Sequence, residues 1–165
     1  MWAIIKFNKK NLSLLKHDIT KKLGNEVKFY IPKINLENLK KNKIYSKESF
    51  LLGDYLLCFH NNFSNKYILE SLKYCKGLKY FLTDFFHSQK EIKDFIEKCK
   101  QHEDEKGYIK QSFFEFNNKK EYQFISGPFS GFIFKIINEN KTNLKLLMGN
   151  LSATVSKEDY LFRPA

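Results

Sequence analysis

Cysteine, proline and glycine are all scarce in this sequence. Its 165 residues include 3 Cys, 3 Pro and 7 Gly. Cys58, Cys75 and Cys99 are widely separated, odd in number and form no C-x-x-C pair. This usage argues against a disulfide framework and against a structural zinc site, and it indicates a reducing compartment, which we expect to be the cytoplasm.

Long apolar runs are also missing. No run approaches the roughly 20 residues that a membrane-spanning helix needs. Residues 2–5 already have a strand-like pattern, without the basic, apolar and small-residue order of a signal peptide. We therefore expect a soluble protein that stays inside the cell and does not contact a membrane.

The motifs that usually carry catalysis do not occur. The sequence has no Gly-rich phosphate loop, no G-x-S-x-G and no H-E-x-x-H. His17, His60, His87 and His102 are scattered, and Cys58 beside His60 on one strand face lacks a third ligand nearby. We expect no catalytic residue, no metal and no cofactor, and we do not expect an enzyme.

Acidic residues are few compared with basic ones. The chain has 18 Asp and Glu against 29 Lys and Arg, a net charge of +11, and residues 1–100 hold 20 Lys against 10 acidic residues. Such an excess is typical of proteins that bind a nucleic acid or an acidic protein surface. A solvated, solubilising surface explains it equally well.

What the sequence does have is hydrophobic and aromatic side chains, at 42% and 16% of residues, enough to build cores. In the first hundred residues, β-branched and aromatic segments predict strands at 2–7, 27–31, 50–59 and 78–82. Helical periodicity predicts helices over 12–23, from a Ser64 cap to residue 76, and from a capping box at 88–91 to residue 99. The Lys-rich stretch 35–47 is predicted to be an exposed hairpin or loop.

A polar, acidic stretch at 101–110 interrupts this pattern and predicts a linker. Beyond it the periodicity is that of short strands, at 122–125, 132–137, 144–148, 153–155 and 160–162. Turn-forming segments separate them, so we predict a small β-barrel or sandwich.

The order of these elements resembles the NusG family of transcription factors. The sharpest motif is Ser126-Gly127-Pro128-Phe129-Ser130-Gly131-Phe132, which is similar to the family's G-P-F-x-x-F loop. Residues 2–5 resemble the family's opening W-Y-V-V strand, and residues 51–57 resemble its L-F-P-G-Y-V-L segment. Residues 77–82 resemble G-V-x-G-F-V, and residues 88–92 resemble S-x-x-E-V. Residues 51–57 keep only the tyrosine of F-P-G-Y, and Phe134 stands at the signature glycine, so we expect a divergent paralogue.

The resemblance implies an α+β fold, with an NGN-type antiparallel sheet flanked by helices and then a small SH3-like β-barrel, the KOW domain. It implies an NGN-like RNA polymerase-binding domain over 1–100, a linker over 101–112 and the KOW domain over 113–165. Gly127, Pro128, Gly131 and Gly149 favour a barrel over the helical hairpin of some specialised relatives, and we expect two separately tumbling domains.

The resemblance also implies a function, which is transcription elongation or antitermination by a monomer bound to the polymerase clamp coiled coil. It places polymerase contacts at Tyr55, with Phe7, Leu52 and Phe81 as further candidates. Phe132 and Phe129 would contact a ribosomal protein or Rho through the KOW domain. Basic residues that could meet upstream or non-template DNA are Lys9, Lys10, Lys16, Lys40, Lys41 and Lys43.

Each of these residues also has a simpler interpretation. The Phe and Leu side chains could be ordinary core residues, and the lysines a solvated face. A different class of function is a KOW-type RNA-binding protein of the ribosomal kind, in which the barrel binds RNA. The NGN-like first half favours the polymerase-binding factor, because ribosomal KOW proteins need no such domain.

Overall fold

The structure of the chain is a computed structural model that describes residues 1–40, 43–114 and 121–165. Its helices are α1 (Leu12–Leu23), α2 (Lys66–Leu72) and α3 (Gln89–Gln101). Its strands are β1 (Trp2–Phe7), β2 (Lys28–Tyr30), β3 (Lys33–Lys40), β4 (Lys43–Phe50), β5 (Tyr55–Phe59), β6 (Leu78–Phe81), β7 (Glu121–Phe124), β8 (Ile133–Glu139), β9 (Asn143–Met148), β10 (Leu151–Ser156) and β11 (Phe162–Pro164). The predicted α+β class is confirmed.

The chain forms two compact units. The N-terminal unit comprises Met1–Pro32 and Phe50–Lys98, and the C-terminal unit comprises Lys33–Ser49 and Cys99–Ala165. Within the described residues, no helix is both long and apolar enough to cross a membrane.

The N-terminal unit is built on one antiparallel sheet with the strand order β2-β5-β1-β6. Alternation along β1 buries Ala3, Ile5 and Phe7 on one face. These side chains join a core with buried residues of the helices, among them Leu15, Ile19, Leu72, Ile92 and Ile96. The sheet therefore offers its other face, with Lys6, to the surface.

One residue fixes an end of each of the three helices. Gly24 ends α1 with a φ of 87°, which its lack of a Cβ permits. Asn65, and not the predicted Ser64, caps α2, because its side chain accepts from the N–H of Tyr67 at 2.9 Å. The Gln89 amide fixes the start of α3 by bonding both backbone groups of Trp2, at 2.9 and 2.7 Å.

The predicted strand over 50–59 is wrong in its first half. Phe50 ends β4, residues 51–54 form a turn, and β5 begins only at Tyr55. Gly53 takes a φ of 65° in this turn, which its lack of a Cβ permits. An apolar run alone does not reveal such a turn, because Leu51 and Leu52 still pack as half-buried side chains.

The C-terminal unit has a five-stranded antiparallel sheet with the order β10-β9-β8-β7-β11. Val155 on one edge strand and Phe162 on the other belong to a single buried cluster. Both edges reach the same core, so the sheet is strongly curved, as the predicted barrel requires. Phe134 lies in this core, with its ring centroid 4.3 Å from that of Phe124.

Residues 33–49 of the hairpin β3–β4 also belong to the C-terminal unit, together with the whole segment that the sequence predicts to be a linker. Ile109 donates its N–H to the carbonyl of Lys33 at 2.7 Å, and Glu37 donates its N–H to the carbonyl of Ile125 at 3.0 Å. The segment itself carries a bridge between Glu103 and Ile109. The observed division thus differs from the boundaries 1–100, 101–112 and 113–165, because these hydrogen bonds are invisible in a linear pattern.

Candidate functional site

Tyr55 stands on the surface face of the N-terminal sheet, where register aligns it with two other polar side chains. It pairs with Lys6 of β1, and Lys6 pairs in turn with Tyr80 of β6. Residues paired directly across antiparallel strands share a face, so all three side chains lie in one row. The neighbouring positions, Ile5 and Leu56, point to the opposite face and are fully buried.

The three side chains contact one another, and we call them the Lys6–Tyr55–Tyr80 cluster. The Lys6 ammonium donates to the Tyr55 hydroxyl at 3.3 Å, and the two hydroxyls lie 3.2 Å apart. The ammonium also lies 4.7 Å from the Tyr55 ring centroid and 5.8 Å from that of Tyr80. A cation held over two aromatic rings is attracted to their faces, which orients all three side chains.

Asp54 adds a negative charge beside the ammonium groups of this face. Its carboxylate lies 3.8 Å from the Lys6 ammonium and 3.5 Å from that of Lys79. Exposed ion pairs of this kind contribute only about 0–1 kcal/mol to stability, so their main effect is to orient the side chains. The carbonyl of Asp54 accepts from the N–H of Phe7 at 2.9 Å, which ties the turn to β1.

The contacts shift the pKa of each member. The hydrogen bond to Tyr55 raises the pKa of Lys6 above its usual value, so the ammonium is charged at neutral pH. The pKa of Tyr55 is lowered, first by the hydrogen bond to Tyr80 and then by the one from Lys6. The hydrogen bond to Tyr55 raises the pKa of Tyr80. Either hydroxyl can act as the donor between the two phenols.

The other predicted polymerase contacts differ in their exposure. Phe7 is a correction, because it is fully buried in the core and has no surface for a partner. Leu52 is half-buried in the turn before Tyr55, and Phe81 is half-buried with its ring 6.2 Å from that of Phe63. Leu52 and Phe81 therefore combine core packing with a remaining exposed edge.

The lysines predicted to meet DNA are divided between the two units. Lys9 and Lys10 are exposed in a 3₁₀ turn before α1, and the Lys16 ammonium lies 5.6 Å from the Phe29 ring centroid. Lys43 is exposed at the start of β4 and so belongs to the C-terminal unit. Lys41 and the side chain of Lys40 lie outside the described residues.

The two predicted contact residues of the C-terminal unit flank one turn. Phe132 is 59% exposed, whereas Phe129 is half-buried against Phe124 and Tyr160, at 5.7 and 6.0 Å between ring centroids. The turn depends on Gly127, whose φ is 74° and where a Cβ would collide with the Tyr160 ring. Only Phe132 presents most of its ring to a partner.

Sequence reasoning missed Lys6 and Tyr80. A signal was present for Lys6, which alternates with the buried Ile5 and Phe7. What made them part of the site was the register of three strands, which the sequence did not reveal.

The structure gives no support for metal chemistry in the part of the chain it describes, where no group of three His, Cys, Asp or Glu side chains is placed to hold an ion. Cys58, Cys75 and Cys99 are buried thiols. Burial raises the pKa of Cys58 and Cys75, which disfavours the reactive thiolate.

Comparison with known proteins gives structural neighbours only. No protein-family model and no curated protein matches the sequence. The chain is similar to one in the crystal structure of the MjSpt4:Spt5 complex in conformation B, with a TM-score of 0.36 and 15% identity over 100% of this chain and 98% of that chain. It is also similar to Thermotoga maritima NusG, from a study of its domain interaction, with a TM-score of 0.37 and 13% identity over 94% of this chain and 91% of that chain.

Proposed function

We propose that this chain is a NusG-like transcription factor that docks onto RNA polymerase through the Lys6–Tyr55–Tyr80 cluster. The observation that carries the proposal is the position of Tyr55, the tyrosine retained from the family's F-P-G-Y element. It lies on the surface face of the sheet and is held there by Lys6 and Tyr80 at 3.3 and 3.2 Å.

The chemistry of the cluster suits a helical partner such as the clamp coiled coil. Tyrosine rings supply apolar contact area at low entropic cost, and their hydroxyls can still hydrogen-bond at the rim. Because Lys6 and Tyr55 are already in contact, little side-chain freedom is lost on binding. The Lys6 ammonium would attract a carboxylate on the partner helix. Leu52 would add apolar contact area, whereas Phe81 pairs with the buried Ile5 and so points to the opposite face of the sheet.

Two further contacts belong to this proposal. Lys9, Lys10, Lys16 and Lys43, with Lys40 and Lys41, would bind upstream or non-template DNA through phosphates, which adds affinity without sequence preference. Phe132, with the edge of Phe129, would bind a ribosomal protein or Rho. The outcome would be processive elongation or antitermination by a factor that acts as a monomer.

The test is binding of the purified chain to the isolated clamp coiled coil of RNA polymerase. Tyr55→Ala should weaken binding about thirtyfold, as truncation of an interface anchor typically costs ~2 kcal/mol. The matched control is Tyr67→Ala, which removes a Tyr that is 86% exposed on α2 of the same unit. Equal affinities of the two folded variants would refute the docking site. A lysate pull-down that recovers ribosomal RNA without polymerase would favour the RNA-binding alternative.

A further inference from the structure

The C-terminal unit contains a polar cavity of about 360 Å³. It is lined by the hairpin strand β3, the segment 104–112, Ser126 and the segment 158–161. The lining includes one ammonium, that of Lys110, against the carboxylates of Glu37, Asp104, Glu158 and Asp159. The cavity lining is therefore net acidic, although the chain as a whole has a net charge of +11.

Gln111, one of the residues that line this cavity, has a buried amide donor without a partner among the described residues. Gln111 is 2% exposed, and its Oε1 accepts from the N–H of Phe162 at 2.7 Å. This bond fixes the amide orientation, since a flipped amide would set its NH₂ group against the Phe162 N–H. Among the described residues, Nε2 of Gln111 then has no acceptor. An unpaired buried donor is costly, and an acceptor entering the cavity could satisfy it.

The carboxylates differ in how far they are already used. Asp104 accepts from the N–H groups of Lys106 and Tyr108, both at 2.9 Å, and Glu37 accepts from that of Gly127 at 3.1 Å. Within the described part of the chain, none of the four cavity carboxylates forms an ion pair. Glu158 and Asp159 therefore remain available to an incoming cation, together with the second oxygen of Glu37.

We propose that this cavity binds an arginine-containing segment of a partner protein. A guanidinium matches carboxylates because its planar fork of donors can bond two oxygens at once. A backbone carbonyl of the same segment would accept from Nε2 of Gln111. A nucleic acid does not fit, because its phosphates would face Glu37, Glu158 and Asp159. The site lies apart from the Lys6–Tyr55–Tyr80 cluster and does not depend on the proposed polymerase docking.

The test uses the full chain and a fluorescein-labelled peptide of sequence Gly-Arg-Gly-Arg-Gly, measured by fluorescence anisotropy. The matched probe is the same peptide with both arginines replaced by citrulline, which keeps the shape and removes the charge. We expect the arginine peptide to bind about fivefold or more tightly than the citrulline peptide, the scale of two partly exposed ion pairs. In nitrogen-edited NMR spectra, the side-chain NH₂ signals of Gln111 should move on addition of the arginine peptide.

Substitutions of the cavity carboxylates test whether the arginine peptide binds at this cavity. The double substitution Glu158→Gln with Asp159→Asn should weaken binding of the arginine peptide about fivefold, while Glu26→Gln, an exposed carboxylate of the other unit, should leave it unchanged. Equal binding of the two peptides, an unmoved Gln111 signal in the wild-type chain, or equal losses in the two variants would each overturn the proposal. Movement of the same signal by a labelled oligothymidine would overturn it in favour of nucleic acid.

Discussion

The carboxylate of Glu37 accepts a hydrogen bond from the backbone N–H of Gly127 at 3.1 Å, although 90 positions separate the two residues. The N–H of Glu37 in turn donates to the carbonyl of Ile125 at 3.0 Å. Strand β3 is therefore bonded to the turn that follows β7. Through this pair, a hairpin from the first third of the chain becomes part of the C-terminal unit.

Glu37→Ala should loosen that turn. The variant leaves the Gly127 N–H without its charged acceptor, which we expect to lower the local free energy of unfolding by about 1.5 kcal/mol. Hydrogen exchange of the Gly127 amide should accelerate roughly tenfold. Glu37→Gln keeps an acceptor oxygen and should exchange at a rate between those of the wild type and Glu37→Ala. Unchanged protection in Glu37→Ala would mean that water serves Gly127 equally well.

Gly127→Ala should be more harmful than the same change at Gly131. Both glycines have a positive φ, of 74° and 92°, so each alanine costs about 1–2 kcal/mol of backbone strain. Only at 127 would the new Cβ also collide with the Tyr160 ring, since nothing lies within 4 Å at 131. We expect a loss of at least ~2 kcal/mol at 127 and about 1 kcal/mol at 131, measured by exchange of the β7 and β8 amides. Equal losses would show that Tyr160 moves aside freely.

Tyr55→Phe should change the titration of both neighbours. The hydrogen bond to Tyr55 is the largest cause that raises the pKa of Lys6 and of Tyr80, so its removal should lower both values. NMR titration of the Lys6 Cε and the Tyr80 ring carbons measures these two pKa values.

A group whose pKa is raised in the folded state stabilises the fold at pH values below its unfolded pKa, and it loses that contribution as the pH rises through the folded pKa. The stabilisation by Lys6 should therefore disappear only in the alkaline range, above its ordinary pKa of 10.5.

A fragment of residues 113–165 should keep its strands but not the full stability of the C-terminal unit. Its core, which includes Phe124, Phe134 and Phe162, is contained in the fragment. The fragment lacks Glu37 and Gln111, which bond the Gly127 and Phe162 amides. NMR spectra of the fragment and of the full chain should overlap in β8 and β9, whereas the amides at 125–127 and 162 should shift and exchange faster. Helical shifts in the full chain would instead indicate a switch of fold.

Periodicity predicted the elements well wherever one face of an element is buried. The strand β1 and the helix α1 agree with their apolar patterns because Ile5, Leu15 and Ile19 are core residues. The pattern was wrong at 50–59, where Leu51 and Leu52 lie in a turn and are partly exposed. It did not reveal that Ile109 and Gln111, within the predicted linker, are buried, since their hydrogen-bond partners Lys33 and Phe162 are distant in sequence.

Family resemblance predicted Tyr55 as a docking residue, and the structure adds the neighbours that define its chemistry. Lys6, Tyr55 and Tyr80 are 49 and 25 positions apart along the chain. No spacing rule joins them, because their proximity results from the register of three strands. Phe7 shows the reverse case, in which a residue proposed for the surface is placed by alternation in the core.

The sequence by itself determined the α+β class, the basic charge and the aromatic content of both cores, because burial periodicity and composition are local properties of the chain. Only the tertiary structure placed β3 and β4 in the C-terminal unit. It also brought Lys6 and Tyr80 into contact with Tyr55. It placed the carboxylates of Glu37, Glu158 and Asp159 around one cavity with Gln111, whose amide donor is unpaired among the described residues. Each of these depends on hydrogen bonds and packing between residues far apart in the chain. The energy of such contacts is set by three-dimensional geometry, which no local pattern encodes.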